Sequence, residues 1–256
     1  MSIGAPIGSA IGSAIGSGMA GGGSEPLIDP ATLYTGGKKG IWIKPRDWTT
    51  LFQNSGGTGA VTTEGDPVGR ATDQSGRGNN MIQSTSAARP VVTTVGGYRC
   101  ADFDGVDDLW STGFVSVGFL GSNLLDAFIT VYRDTNTASA LGVMNIGSFM
   151  VPDDGVAGAA SSGVGASTTY SVNCVAVPGG TATTRDQLSD AFPTGQWVVM
   201  SCLDLNLSGA FQFENGVAPS FVFNGKIGEF ILCESTDSAT RARIHTYLGS
   251  KVGLTL

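Results

Sequence analysis

Between Ile41 and about position 234 the chain is a succession of short apolar runs broken by glycine, asparagine and proline. Such punctuation leaves room for little besides antiparallel β-structure. "DAFITVYRD" (126–134) alternates apolar and polar residues, as a half-buried strand does, and "TTYSVNCVAV" (168–177) alternates more loosely. "GQWVVMSCLDL" (195–205) is apolar almost throughout and predicts a strand buried in the middle of a sandwich. Asn215-Gly216 and Asn224-Gly225 are hairpin signals, because a type I′ turn needs positive φ at both central residues. The 39 glycines and the 14% of charged residues agree with a turn-rich β-fold rather than a helical one. Helical spacing is clear only in "STDSATRARIHTYLGSKVGL", where Ser235 to Ser238 offers a cap and Ile244, Tyr247 and Leu248 share a face. Gly249 or Gly253 can end this helix, which is expected to pack on an edge or end of the sandwich.

The N-terminus is of another kind. Ile3, Ile7, Ile11 and Ile15 are each followed by glycine, and no charged side chain precedes Glu25. A period of four puts the isoleucines on one face of a strand, or in a slowly drifting stripe on a helix. Glycine costs each helical position about 0.8–1 kcal/mol relative to alanine. Alone, the tract buries too little apolar surface to offset its ordering entropy. It therefore reads as a docking segment that becomes regular against a partner. Membrane contact is the second reading, weakened because glycine dilutes the apolar face. Neither a secretory signal nor a membrane span fits so many glycines. The expected organisation is a docking tail at 1–24, a linker at 25–40 and one domain at 41–256.

Charge excludes some functions. With a net charge of −7 and basic residues gathered only at Lys38, Lys39, Lys44 and Arg46, the chain lacks the patch that nucleic-acid binding requires. Cys100, Cys174, Cys202 and Cys233 form no CxxC pair, and His245 is the single histidine, so a zinc site is not expected. Four cysteines allow two disulfides in an oxidising compartment, but Cys202 and Cys233 lie in apolar runs and read as buried thiols. His245 has no serine or cysteine motif beside it and reads as a surface or semi-buried helix residue.

Several motifs follow one another in a recognisable order. "DQSGRGNN" (73–80) is followed by Arg89-Pro90 and then by "FDGVDDLW" (103–110). The chain closes with "GKIGEFILCE" and a helix ending in Tyr247-Leu248 and Lys251. Over positions 40–256 this order resembles the concanavalin A-like, laminin-G-type jelly-roll domains of bacteriophage and prophage structural proteins. The resemblance implies an all-β, two-sheet antiparallel jelly-roll sandwich with one C-terminal amphipathic helix, behind a glycine-rich tail. Fold alone implies no activity.

Three kinds of site follow. Asp73, Asp104, Asp107 and Asp108, with Asn79, supply the hard oxygen ligands that Ca²⁺ takes; the same carboxylates also suit turn amides. No other cofactor is expected. Trp48 and Trp110, beside Asn79 and Asn80, are candidates for a carbohydrate platform, as are Tyr34 and Tyr170; packing is the competing role. A retaining glycosidase needs two carboxyls about 5–5.5 Å apart. The nearest pair, Glu229 and Glu234, is separated by an odd number of residues and faces opposite sides of a strand, so an enzyme is not expected. The expected function is a virion structural protein of a tail fibre, tail tip or spike, assembled in the host cytoplasm. Its tail would dock to other virion proteins through Ile3, Ile7, Ile11 and Ile15, its domain would face host glycans, and copies would associate. A capsid decoration or head fibre with a purely structural role is the alternative.

Overall fold

The structure, a computed structural model, describes residues 26–115, 124–134, 145–146, 169–179, 183, 185–205, 211–215 and 223–256. The docking isoleucines Ile3, Ile7, Ile11 and Ile15 lie outside the described residues, as does Gly216 of the first Asn-Gly pair. Two antiparallel sheets form a β-sandwich. The strands are β1 (Gly40–Ile43), β2 (Leu51–Phe52), β3 (Arg70–Ala71), β4 (Met81–Ile82), β5 (Val91–Val95), β6 (Tyr98–Asp104) and β7 (Trp110–Val115). They continue as β8 (Leu125–Arg133), β9 (Asn145–Ile146), β10 (Thr169–Val172), β11 (Val175–Ala176), β12 (Trp197–Leu205), β13 (Phe211–Asn215) and β14 (Asn224–Glu234). A short helix, α1 (Arg185–Ala191), precedes β12, and α2 (Ser238–Ser250) follows β14.

The larger sheet has eight strands in the order β11-β10-β12-β8-β14-β6-β5, with β1 pairing on β14. The smaller has six, in the order β2-β3-β4-β7-β13-β9. Alternation along each strand sorts the side chains. Ile41, Ile43, Phe103, Ile129, Val131, Val198, Met200, Phe230 and Leu232 of the larger sheet meet Leu51, Ala71, Met81 and Trp110 of the smaller one in a single core. Trp110 sits edge-on to Phe103 at 5.2 Å, and its indole N–H donates to the Val68 carbonyl at 3.0 Å.

The intervening residues of the larger sheet point the other way, into a second core. Trp42, Phe128, Val199, Ile231 and Cys233 are buried there beneath Ile244, Tyr247 and Leu248 of α2 and beneath Ile28, Leu33 and Tyr34. This overturns two expectations. The helix packs across the outer face of the central strands instead of on an edge or end. β8, read as half-buried, is buried on both faces because α2 covers its outer side. Part of the stretch at 25–40 packs on the larger sheet. A 3₁₀ turn at Pro30–Gly37, capped by the Asp29 side chain, holds Tyr34 against the sheet. The Tyr34 hydroxyl donates to the carbonyls of Ile41 and Leu232 at 3.0 and 3.3 Å. The Arg77 guanidinium donates to the Tyr34 carbonyl at 2.7 Å.

Asn224-Gly225, expected to form a hairpin turn, opens β14 and makes none. Gly225 pairs with Phe103 on one side and Arg133 on the other. A Cβ there would lie 2.2 Å from the Tyr132 carbonyl oxygen, so glycine is required for close approach. A tight hairpin does occur inside "TTYSVNCVAV", where Asn173 and Cys174 take φ of 50° and 66° between β10 and β11. Asparagine tolerates that region well, and cysteine gave no turn signal. Cys202 and Cys233 are buried thiols as expected, and Cys100 joins them; Cys174 is exposed. No helix among the described residues is long and apolar enough to cross a membrane.

Replacing Tyr34 by phenylalanine leaves the ring in place and removes only the hydroxyl. It should lower stability by about 1 kcal/mol in a denaturant titration. An unchanged midpoint would show that the segment before β1 is not tied to the sheet.

Candidate functional site

The loop between β6 and β7 brings three of the candidate ligands together. The carboxylates of Asp104, Asp107 and Asp108 each offer an oxygen, all within 4.8 Å of one another. The turn explains much of this convergence. Asp104 Oδ1 accepts the amides of Val106 and Asp107 at 2.8 and 3.4 Å, while Asp108 Oδ2 accepts the Asp104 amide at 2.9 Å. Asp108 is 6% exposed, and burial, then the charges of the neighbouring aspartates, pushes its pKa up to about 6 against the pull of the Asp104 amide. The loop thus gathers three carboxylates, and Asp104 Oδ1 and Asp108 Oδ2 are already engaged by turn amides.

Asp73 is not in that cluster. Its Oδ1 accepts the amides of Trp42 and Ser75, both at 2.9 Å, and its Oδ2 accepts the Asn79 amide at 2.9 Å and the Ser75 hydroxyl at 2.7 Å. The 73–80 loop is therefore an Asx turn that fastens itself to β1 through the buried Asp73 carboxylate. Asn80 accepts the Asp73 amide, and the Asn79 side-chain amide donates to the Gly40 carbonyl. Both asparagines serve the turn.

The proposed sugar platforms are inside the protein. Trp110 is 1% exposed and belongs to the core between the sheets, and Tyr170 is equally buried. Trp48 is 8% exposed, and the Arg99 guanidinium covers its ring at 4.5 Å. Apolar area favours burying these rings, and only the folded sheet decides which of them reaches the surface.

Sequence reasoning missed a set of polar groups on the outer face of the larger sheet. Glu229 of β14 is fully buried. Its Oε1 accepts the Trp42 indole N–H at 2.7 Å and the Tyr247 hydroxyl at 2.9 Å, and its Oε2 faces Arg46 Nε at 3.4 Å. Burial pushes the Glu229 pKa up, opposed by those two donors and then by Arg46. Glu234 accepts the Lys39 amide at the far end of the strand. The two glutamates thus have separate structural partners.

His245, read as a surface or semi-buried residue, is 5% exposed. Its Nε2 lies 3.2 Å from the Ser201 hydroxyl, which is 2.7 Å from that of Ser171, and its ring is edge-on to Phe128. Nδ1 is buried without a hydrogen bond. Desolvation lowers the His245 pKa to about 4, so this serine–serine–histidine chain is closed beneath α2 with a neutral imidazole. Asp126 of β8, wholly buried, receives two bonds from Arg241, at 2.9 and 3.0 Å, and Asp204 receives a third at 2.6 Å. The one sequence signal for this set was a charge or hydroxyl inside an otherwise apolar run, as in "VVMSCL" and "GEFILCE".

No protein-family model matches this chain, no curated protein matches it in sequence, and no solved structure matches it in fold.

Two titrations follow. A depressed histidine pKa means that the unfolded chain binds the proton first. The contribution of neutral His245 is thus complete above pH 6.5 and falls as pH drops to about 4. The loss should be on the order of 3 kcal/mol, and His245→Gln should flatten that part of the stability profile. Asp108 has the opposite sign. Its stabilising effect is complete below the unfolded value of 3.8 and declines as pH rises through about 6. Asp108→Asn should remove a decline on the order of 2 kcal/mol from the same profile. Unfolding curves at several pH values check both, and parallel profiles for variant and parent would refute the assignment.

Proposed function

We propose that this chain is a structural component of a bacteriophage virion, in which residues 1–24 dock to other virion proteins and the β-sandwich is a rigid head. The reading rests on the ordered motifs of 40–256, the charge-free Ile-Gly tract and a two-sheet antiparallel domain of the kind those motifs imply. The observation that carries the structural role, over glycan attachment, is the burial of Trp48, Trp110, Tyr34 and Tyr170. Each aromatic side chain named as a sugar platform instead holds the fold together. Commitment of Glu229 to Trp42, Tyr247 and Arg46 likewise favours a scaffold over a hydrolase.

Docking of residues 26–37 on the sandwich gives the arrangement a mechanical logic. Ile28, Leu33 and Tyr34 are held on the larger sheet, so a docking segment ahead of them would transmit force to the domain at that point. A tail fibre, tail tip or spike uses such an arrangement, and a capsid decoration uses it equally well; copies of the chain would repeat with the particle's symmetry.

Particles assembled with the full chain and with a chain lacking residues 2–24 distinguish the possibilities. Mass spectrometry of purified particles should find the full chain and not the shortened one, while circular dichroism of the shortened chain should show an intact β-fold. Equal incorporation would overturn the docking role. Saturable binding of the full chain on a glycan array would replace the scaffold reading with a receptor-binding one.

A further inference from the structure

On the outer face of the larger sheet, away from Glu229, one lysine stands between two carboxylates. Lys226 of β14 is directly opposite Asp102 of β6 on one side and Tyr132 of β8 on the other. Asp134 lies two residues beyond Tyr132, and its amide donates to the Asn224 carbonyl, which places it diagonally across from Lys226. Lys226 Nζ is 3.1 Å from Asp102 Oδ1 and hydrogen-bonds Asp134 Oδ2. Only 12% of the lysine side chain is exposed, and its ammonium lies 5.9 Å from the centre of the Tyr132 ring. The apolar cluster of Cys100, Trp197, Tyr98, Tyr132 and Val252 adjoins it.

A surface ion pair contributes little and needs only one carboxylate. Here a second carboxylate reaches the same nitrogen, and desolvation is the largest influence on both Lys226 and Asp102. It opposes the ammonium and raises the Asp102 pKa, while the two aspartates hold the Lys226 pKa above its ordinary value in the resting ion pair. Moving a proton from Nζ to a carboxylate discharges the pair and yields a neutral amine beside a carboxylic acid. Neighbouring strands hold the two groups, so their encounter carries the high effective concentration of an intramolecular reaction.

We propose that Lys226 and Asp134 condense into an intramolecular isopeptide bond, with Asp102 relaying the protons. The Nζ lone pair attacks Cγ of the protonated Asp134, forming the C–N bond. Asp102 accepts a proton from the attacking nitrogen and returns one to the departing hydroxyl as the C–OH bond breaks. One amide and one water result, with no change in oxidation state and no co-reactant. The bond joins β14 to the residue just past the end of β8, across the most extensively paired strands of the sheet. It does not depend on a virion role.

The intact mass of the full chain, together with a tryptic map, tests this. The parent should weigh one water less than its sequence, and the peptides containing Lys226 and Asp134 should be recovered as one branched species. Asp102→Asn should restore the full mass. Lys226→Arg keeps a cation between the aspartates but cannot condense by this route, so it should also show the full mass with an unchanged β-sheet spectrum. A parent at full mass after prolonged incubation, with both peptides unlinked, would overturn the proposal. So would a water loss confined to one peptide, such as a succinimide at Asp104-Gly105.

Discussion

The Glu229 carboxylate is the point on which the outer half of this protein depends. It sits on a central strand with no solvent around it, and its three partners come from two distant parts of the chain: Trp42 on β1 and Arg46 just after it, and Tyr247 on α2. A buried carboxylate is costly unless it is paired and hydrogen-bonded. The fold meets that requirement only when β1 is in register on β14 and α2 lies across the sheet. Removing one member of such a buried pair typically costs about 3–5 kcal/mol, because the other is left uncompensated. That cost selects one arrangement of β1 and α2 over neighbouring ones of similar apolar burial.

α2 is fastened by polar groups along its whole length. Asp237 caps its first turn by accepting the Thr240 amide, and Arg241 is held by Asp126 and Asp204. His245 meets Ser201 one turn later, and Tyr247 meets Glu229 near the C-terminal end. The apolar contribution is narrow, from Ile244, Tyr247 and Leu248. A helix held this way has a fixed position and register, since a slide of one residue would break its contacts to Asp126, Ser201 and Glu229 together. Asp204 takes a left-handed φ of 58° at the β-bulge in β12, which directs its carboxylate to Arg241 and Ser235. The strain of that residue is offset by the ion pair it completes.

The legible parts of the fold were those with local causes. An alternating run marked β8, a nearly continuous apolar run marked β12, Asp73 could be read as a carboxylate suited to turn amides, and the caps of α2 could be read to within a few residues. Errors came where a residue's role depends on what covers it. A strand with one polar face, such as 126–134, looks half-exposed until a helix lies over it. Trp48 and Trp110 look equally suited to a sugar site and to a core, because their chemistry is the same in both. Asn224-Gly225 has turn chemistry, yet Gly225 serves there to let two backbones approach within a strand pair.

The sequence by itself determined that this chain is β-rich, ends in an amphipathic helix, and begins with a charge-free tract unlike the rest. Those properties follow from periodicity, turn residues and composition, which act over a few neighbouring residues. Only the tertiary structure decided which aromatics are buried, which carboxylates converge, and that Lys226 stands between Asp102 and Asp134. Residues more than thirty positions apart meet there through strand register, and register is set by the simultaneous burial of two faces of one sheet.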